Sequence, residues 1–167
     1  GVGDGFSLDV RYLGSWVLSS WCMYRVARRV VSYWGSAFVA ALNYTYSTIR
    51  LVHHGHFQLV VGGALIPLVL LALLRALEHP SLRRGIALGL AFSALTLTAN
   101  YYGAMMSLVV LVVSGGWLVA RRPAPVRQHV AAFALAAVIV GMLVAPIGVK
   151  YLRLDPAPTF RRPSPPR

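Results

Sequence analysis

Long runs without a charged side chain alternate with short polar segments along this chain. The clearest run extends from Phe57 to Leu74, and similar runs extend from Gly103 to Ala120 and from Val130 to Val149. As an α-helix, each run is about long enough to cross the roughly 30 Å hydrocarbon core of a bilayer. The pattern therefore predicts three membrane-spanning helices.

Three further segments are shorter or more polar, and we interpret them as spans as well. Gly85 to Ala99 is uncharged, and the polar second half of Val30 to Ile49 is expected to face protein or a wet cavity. Tyr12 to Ala27 contains Arg25, which has to extend its side chain to the membrane surface. The pattern thus predicts an all-α, polytopic transmembrane helix bundle of about six spans. These spans lie near 12–27, 30–49, 57–74, 85–99, 103–120 and 130–149, between a remnant of an outer loop at 1–9 and a Pro/Arg-rich tail at 150–167.

Arginine is concentrated in every second connection between the predicted spans. Short cytoplasmic loops collect Lys and Arg, so we expect these connections inside and the N-terminus outside, in a bacterial plasma membrane. The segment from Arg50 to His56 and the polar turn Asn100-Tyr101-Tyr102 then lie on the outer side, as does the tail, which is basic and departs from the rule. The arginines of the three basic connections are Arg28 and Arg29, then Arg75, Arg83 and Arg84, then Arg121, Arg122 and Arg127.

The composition indicates a membrane protein and changes the meaning of the high positive charge. Apolar residues make up 57% of the 167 residues and charged residues only 12%, where a soluble domain has roughly a quarter charged. The formal charge is +12, but the basic residues form clusters between apolar runs and no continuous basic stripe, so no nucleic-acid partner is expected. Cys22 is the only cysteine, which excludes an intrachain disulfide.

Three histidines and one arginine stand together at the predicted outer mouth between two spans. Arg50 offers a planar fork of donors and the imidazoles offer further N–H groups, which suits the head group of a lipid phosphate. A metal site is disfavoured because neighbouring histidines point to different sides and no carboxylate accompanies them. Alternatively, these residues only end one helix and start the next at the membrane surface. The histidines are His53, His54 and His56.

The predicted outer side also carries an aromatic turn and a few acidic residues. Tyr101 and Tyr102, with Asn100 beside them, are typical either of an interfacial anchor or of a platform for a substrate. A transferase that needs a general base on this side has few candidates. The acidic residues that this topology places outside are Asp4, Asp9 and Asp155.

Three short motifs follow one another in an order found in a known class of membrane protein. A first span ends in Tyr24-Arg25-Val26-Ala27-Arg28-Arg29, the step Gly55-His56-Phe57-Gln58-Leu59 opens a later span, and Tyr101-Tyr102-Gly103 follows two spans on. Between Leu13 and Val149 this order resembles bacterial polytopic proteins of the GT-C glycosyltransferase class and the related YfhO-like membrane proteins.

The resemblance implies transfer of a sugar from a polyprenyl-phosphate donor to an acceptor on the outer face of the membrane. In that class an acidic residue of the first outer loop acts as base or metal ligand, and only Gly1 to Asp9 represent that loop here. We therefore expect a piece of a longer enzyme that is inactive alone, with membrane lipid and a lipid-phosphate donor as partners and a divalent metal as a possible cofactor of the parent. The residues expected to bind substrate are Arg50, His53, His54, His56, Gln58, Asn100, Tyr101 and Tyr102, and the candidates for catalysis are Asp4 and Asp9.

A non-enzymatic function is the alternative. The same bundle could be a non-catalytic membrane subunit or a transporter of lipid-linked substrates. The predicted spans contain few charged residues, which argues against a transporter driven by ion coupling.

Overall fold

The computed structural model of the protein describes residues 2–47, 57–121 and 126–153, and the side chains within 10–47, 58–121 and 126–150. All regular structure in these ranges is α-helical, which confirms the predicted all-α class. The helices are α1 (Val2–Val30), α2 (Trp34–Thr45), α3 (Phe57–Glu78), α4 (Leu82–Thr98), α5 (Asn100–Arg121) and α6 (Val126–Arg153).

Three of the described helices are long and apolar enough to cross a membrane, and they are the ones that contain the three clearest uncharged runs. The qualifying segments are Gln58–Glu78 in α3, Asn100–Arg121 in α5 and Val126–Lys150 in α6, which continues into the predicted tail. α1 has the length but contains more charge. α2 and α4 have 12 and 17 residues, so they extend about 18 and 25 Å against a hydrocarbon core of roughly 30 Å. The count of six spans stays a prediction.

The ends of the first two helices differ from the sequence-based expectation. α1 begins at Val2, where the sequence predicts the remnant of a loop. The break that separates α1 from α2 lies at 31–33, just after the connection at Arg28 and Arg29 that the sequence predicts, so residues 31–33 of the predicted span 30–49 are not helical. The guanidinium of Arg28 donates hydrogen bonds to the carbonyl groups of Val31 and Ser32 in this break. It thereby provides partners for backbone groups that lie beyond the helical ladder.

The connection between α4 and α5 is shorter than the sequence predicts. Ala99 alone separates the two helices, with an extended backbone at φ −149° and ψ 90°. The predicted turn, Asn100-Tyr101-Tyr102, instead forms the first turn of α5. The Oδ1 atom of Asn100 accepts a hydrogen bond from the backbone N–H of Tyr101 at 2.8 Å, which satisfies one of the donors that a helix start leaves free.

The helices pack in an order that differs from their order along the chain. α1 packs against both α2 and α3, α3 packs against α4, and α4 packs against α6, while α5 lies against α3 and α4. The core is centred on α3 and α4, with Leu73, Leu77 and Leu95 fully buried. Most of α5 and α6 is exposed although both helices are apolar. Exposed apolar surface of this extent is unusual for a protein in water, so these faces suit contact with lipid.

Small residues bring α4 and α6 into close contact. A Cβ atom at Gly89 would lie 3.0 Å from the carbonyl oxygen of Ala136. One turn earlier in both helices, a Cβ atom at Gly85 would overlap the carbonyl oxygen of Ala132. Two small residues four positions apart on each helix are a typical arrangement for helices that associate closely in membranes. The two glycines are therefore needed for the backbones to approach this closely.

One end of the bundle, which we name the basic end, collects most of the described arginines. Arg29 Nη1 lies 2.9 Å from Glu78 Oε2, which joins the ends of α1 and α3. His129 Nε2 lies 2.9 Å from the carbonyl oxygen of Leu77, and its ring packs 5.3 Å from the Trp117 ring, so α5 ends and α6 begins here as well. The arginines at or near this end are Arg25, Arg28, Arg29, Arg75, Arg83, Arg84, Arg121 and Arg127.

Candidate functional site

The substrate site that the sequence predicts falls only partly within the described residues. Asp4 and Asp9 lie in α1, but their side chains are outside the described ones. The head-group cluster lies wholly outside the described ranges, and its members are Arg50, His53, His54 and His56. The expected substrate-binding residues that the structure describes are Gln58, Asn100, Tyr101 and Tyr102.

Gln58 and Asn100 line one pocket at the end of the bundle opposite the basic end. This end pocket has a volume of about 320 Å³ and lies between the start of α3, the α4–α5 connection and α6. Gln58 is in the first turn of α3 and Asn100 opens α5. Because the chain runs away from this pocket along α3 and returns along α4, the structure brings together two residues that are distant in sequence. The other lining residues are Thr96, Leu97, Thr98, Ala99, Val144, Ile147 and Gly148.

The polar groups of the end pocket are amides and hydroxyls. The hydroxyls of Thr96 and Thr98 each donate to the carbonyl group four residues earlier in α4, at 3.0 and 2.7 Å. Their oxygen atoms keep lone pairs that can still accept hydrogen bonds, and the amides of Gln58 and Asn100 add donors and acceptors. Such a set can bind the hydroxyl groups of a sugar or the oxygen atoms of a phosphate.

The two tyrosines of the predicted turn lie in different surroundings. Tyr101 is 63% exposed, as an anchor at a membrane surface would be. Tyr102 packs against the core, and a Cβ atom at Gly62 in α3 would lie 3.0 Å from its ring. Tyr102 therefore contributes to the packing of α5 against α3, and neither tyrosine lines the end pocket.

A second cavity, which the sequence pattern did not reveal, is an aromatic groove between α1 and α2. It has a volume of about 500 Å³ and a mostly apolar wall. The rings of Trp16 and Tyr46 pack edge to face with their centroids 5.1 Å apart. Trp16 Nε1 is buried and has no hydrogen-bond partner within the described part of the chain. The aromatic lining residues are Trp16, Trp21, Tyr24, Phe38 and Tyr46.

Hydrogen bonds attach the C-terminal end of α2 to its neighbours. Ser20 Oγ of α1 and Thr45 Oγ1 of α2 are 2.9 Å apart, and Thr45 is fully buried. The hydroxyl of Tyr44 donates to the carbonyl of Gly63 in α3 at 2.7 Å. Thr45 thus faces protein, as the sequence predicts for the polar half of this segment, whereas Asn43 is exposed.

His129 is a further residue that the sequence pattern did not single out. It is only 4% exposed, and its Nε2 atom lies 2.9 Å from the carbonyl oxygen of Leu77. A carbonyl oxygen can only accept, so the imidazole must carry a hydrogen on Nε2. The bond connects the start of α6 to the last turn of α3, where carbonyl groups lack partners within the helix. Its local sequence, an isolated histidine in an apolar helix, contains no signal for a partner so distant in the chain.

No cluster that could ligate a metal ion occurs among the described residues. Among the described side chains, within 10–47, 58–121 and 126–150, no three of His, Cys, Asp or Glu lie close enough together to bind one. The predicted histidine cluster falls outside these ranges, so this finding does not concern it. The described residues do form a hydrogen-bonding pocket at one end and an aromatic groove along one side.

Comparison with known protein families, with curated proteins and with solved structures finds no match to this chain. The resemblance to the GT-C class therefore rests on the short sequence motifs alone. What the protein does has to be inferred from its own geometry, above all from the end pocket.

Proposed function

We propose that the chain is part of an integral membrane glycosyltransferase that transfers a sugar from a polyprenyl-phosphate donor on the outer face of the membrane, with the end pocket contributing to substrate binding. The observation that carries this proposal is the meeting of Gln58 and Asn100 in one pocket at the end opposite the basic end. Both residues are among those predicted from the sequence to contact substrate, and Gln58 also belongs to a motif that resembles the GT-C class.

The distribution of charge supports an outward-facing end pocket. Arginines that collect at one end of a helical bundle are typical of the cytoplasmic side. The contacts of Arg29 with Glu78 and of His129 with Leu77 bring the ends of α1 and α3 and the start of α6 to that side. The end pocket then opens toward the outer face, where lipid-linked sugar donors of this class are used.

The lining of the end pocket suits a ligand with a polar head and an apolar tail. The amides of Gln58 and Asn100 supply hydrogen bonds, and Val144 and Ile147 of α6 supply apolar surface on the other side. Binding pockets commonly combine an apolar wall with a few well-placed polar groups. In this proposal Arg50 and the neighbouring histidines bind the phosphate, and Asp4 or Asp9 acts as the base, as the resemblance implies.

The alternative is a non-catalytic subunit or transporter that binds a lipid-linked substrate without breaking a bond. It is favoured by the chemistry of the described lining, because amides and aliphatic hydroxyls form hydrogen bonds but do not act as general acids or bases near neutral pH. The aromatic groove also favours it, since about 500 Å³ of apolar space could accommodate part of an isoprenoid chain.

The two functions are separated by measuring binding and transfer on the same preparation. The chain is reconstituted in liposomes with radiolabelled polyprenyl-phosphate hexoses, and both lipid retention and sugar transfer are followed. Gln58→Ala and Asn100→Ala should each weaken retention about five-fold, the effect of one lost hydrogen bond of about 1 kcal/mol. The matched control is Asn43→Ala, which removes an exposed amide of α2 that donates to the Val39 carbonyl four residues earlier.

Each outcome decides between the two functions or against both. Weakened retention together with sugar transfer, by the unaltered chain or by a longer native form, supports the glycosyltransferase. Weakened retention without any transfer, in the chain or in a longer native form, supports the non-catalytic alternative. Equal retention by all three variants and the unaltered chain would show that the end pocket does not bind the donor.

A further inference from the structure

A groove between α3 and α4 combines an aliphatic wall with two arginines at one end. Its volume is about 610 Å³, and Arg75 of α3 and Arg84 of α4 stand at its basic end. The wall away from these arginines is formed by leucine and alanine side chains, among them Leu68, Leu90 and Ala94. We name it the lipid groove, and it is separate from the end pocket.

The length of the lipid groove matches one leaflet of a membrane. Ten residues separate Arg84 from Ala94, which corresponds to about 15 Å along a helix. This is half of a hydrocarbon core of roughly 30 Å. The alanines on α4, Ala87 and Ala91, leave room that larger side chains would fill. A single acyl chain can therefore lie along the groove, while its head group stays level with the arginines.

The charge at the mouth of the lipid groove is not neutralised within the described residues. Arg84 Nη1 donates to the carbonyl groups of Arg75 and His79, which holds its guanidinium at the end of α3. A guanidinium has five N–H donors, so the others remain available. Arg75 forms no ion pair in the described part of the chain, and Glu78, the acid at this end, is bound by Arg29.

We propose that the lipid groove binds one anionic phospholipid, with its phosphate between Arg75 and Arg84 and one acyl chain along α3 and α4. Basic pockets between transmembrane helices on the cytoplasmic side are suited to anionic head groups. Arginine is particularly suited because its planar fork matches the oxygen atoms of a phosphate. This lipid site is independent of the substrate proposed for the end pocket.

Native mass spectrometry of the full chain in detergent tests the head-group contact, with phosphatidylglycerol and phosphatidylcholine as probes. Phosphatidylglycerol should bind more tightly, and Arg75→Gln should weaken it about five-fold, the effect of losing roughly 1 kcal/mol of attraction per arginine. The control is Arg83→Gln, which removes the same charge from an exposed neighbour outside the groove and should change binding less than two-fold. Equal binding of the two lipids, or equal losses in the two variants, would overturn the site.

A second pair of variants tests the acyl-chain contact without altering charge. Ala87→Leu places a larger side chain in the lipid groove and should weaken phosphatidylglycerol binding several-fold. Ala104→Leu makes the same change on the exposed surface of α5 and should have no effect. Excess inorganic phosphate should not displace the lipid, because it lacks the chain. Displacement by phosphate would show that the arginines bind a free anion. Equal effects of Ala87→Leu and Ala104→Leu would show that the lipid binds to the protein surface in general.

Discussion

The contact between α4 and α6 and the contact between α1 and α2 are built in opposite ways. In the first, glycines of α4 face alanines of α6, so that the two backbones nearly touch. In the second, large aromatic residues line the contact and leave a groove of about 500 Å³. Hydrogen bonds such as that between Ser20 and Thr45 hold this second contact. The same bundle therefore contains one contact closed by small residues and one held open by large residues.

The difference separates a contact that favours close packing of two helices from a contact that leaves a cavity between them. Lipid tails are as apolar as leucine, so helices in a membrane associate chiefly through close packing and hydrogen bonds. The α4–α6 contact favours close packing of the two backbones at Gly85 and Gly89, and a cavity of about 460 Å³ lies beside it where α5 also lines the wall. The α1–α2 contact gives up packing, and it gains a cavity whose apolar wall can hold a chain. Substitutions can separate the two contributions.

The largest effect is expected when the close contact is broken. Gly85→Leu places a side chain where the carbonyl group of Ala132 lies, so α4 and α6 must separate. The free energy of unfolding, measured by SDS titration in mixed micelles with circular dichroism, should fall by about 3 kcal/mol. Gly115→Leu makes the same change in α5, where a Cβ atom meets nothing within 4 Å. If both variants unfold at the same SDS fraction, α4 and α6 do not pack through these glycines.

A smaller effect is expected at the end of α2. Tyr44→Phe removes the hydroxyl that donates to the carbonyl of Gly63 and leaves that acceptor without this bond. The loss should be about 1 kcal/mol in the same titration. Tyr101→Phe removes a hydroxyl from an exposed ring and serves as the control. A loss as large in the control would mean that the hydroxyl of Tyr44 does not anchor α2.

The smallest effect should come from the polar pair between α1 and α2. A double-mutant cycle with Ser20→Ala and Thr45→Val isolates the energy of the bond between these two hydroxyls. We expect a coupling of about 0.6 kcal/mol, the average for hydrogen bonds between membrane helices. A coupling of zero would mean that the aromatic packing alone holds the two helices together.

The fold class could be read from the sequence because uncharged runs long enough to cross a bilayer are rare outside membrane helices. The positions of the helix ends are harder to predict from the sequence. The first turn of α5 contains Asn100, a polar residue that reads as a turn, yet its side chain satisfies a backbone donor of the helix. The glycines near the N-terminus suggest a loop, but α1 begins at Val2. Local composition thus indicates where a helix can end without deciding where it does.

The candidate site likewise depends partly on local sequence, which can be read directly, and partly on contacts between residues that are distant in the chain. Loop alternation predicts Gln58 and Asn100 on the same side, and the structure places both in one pocket. The contribution of Val144 could not be predicted, because periodicity does not tell that α6 packs beside α4. The sequence does contain one usable signal for that contact, since Gly85 and Gly89 share their four-residue spacing with Ala132 and Ala136. Such a match indicates a pair of closely packed helices.

We propose that the end pocket faces outward and the basic end faces the cytoplasm, and cysteine labelling tests this orientation most directly. Cys22 is buried and is the only cysteine, so a Cys22→Ala background is free of thiols. Into it are placed Asn100→Cys, at the end pocket, and Arg121→Cys, at the other end of α5. A membrane-impermeant maleimide should label the first in intact cells and the second only after permeabilisation. Labelling of both from the same side would show that α5 does not cross the membrane as proposed.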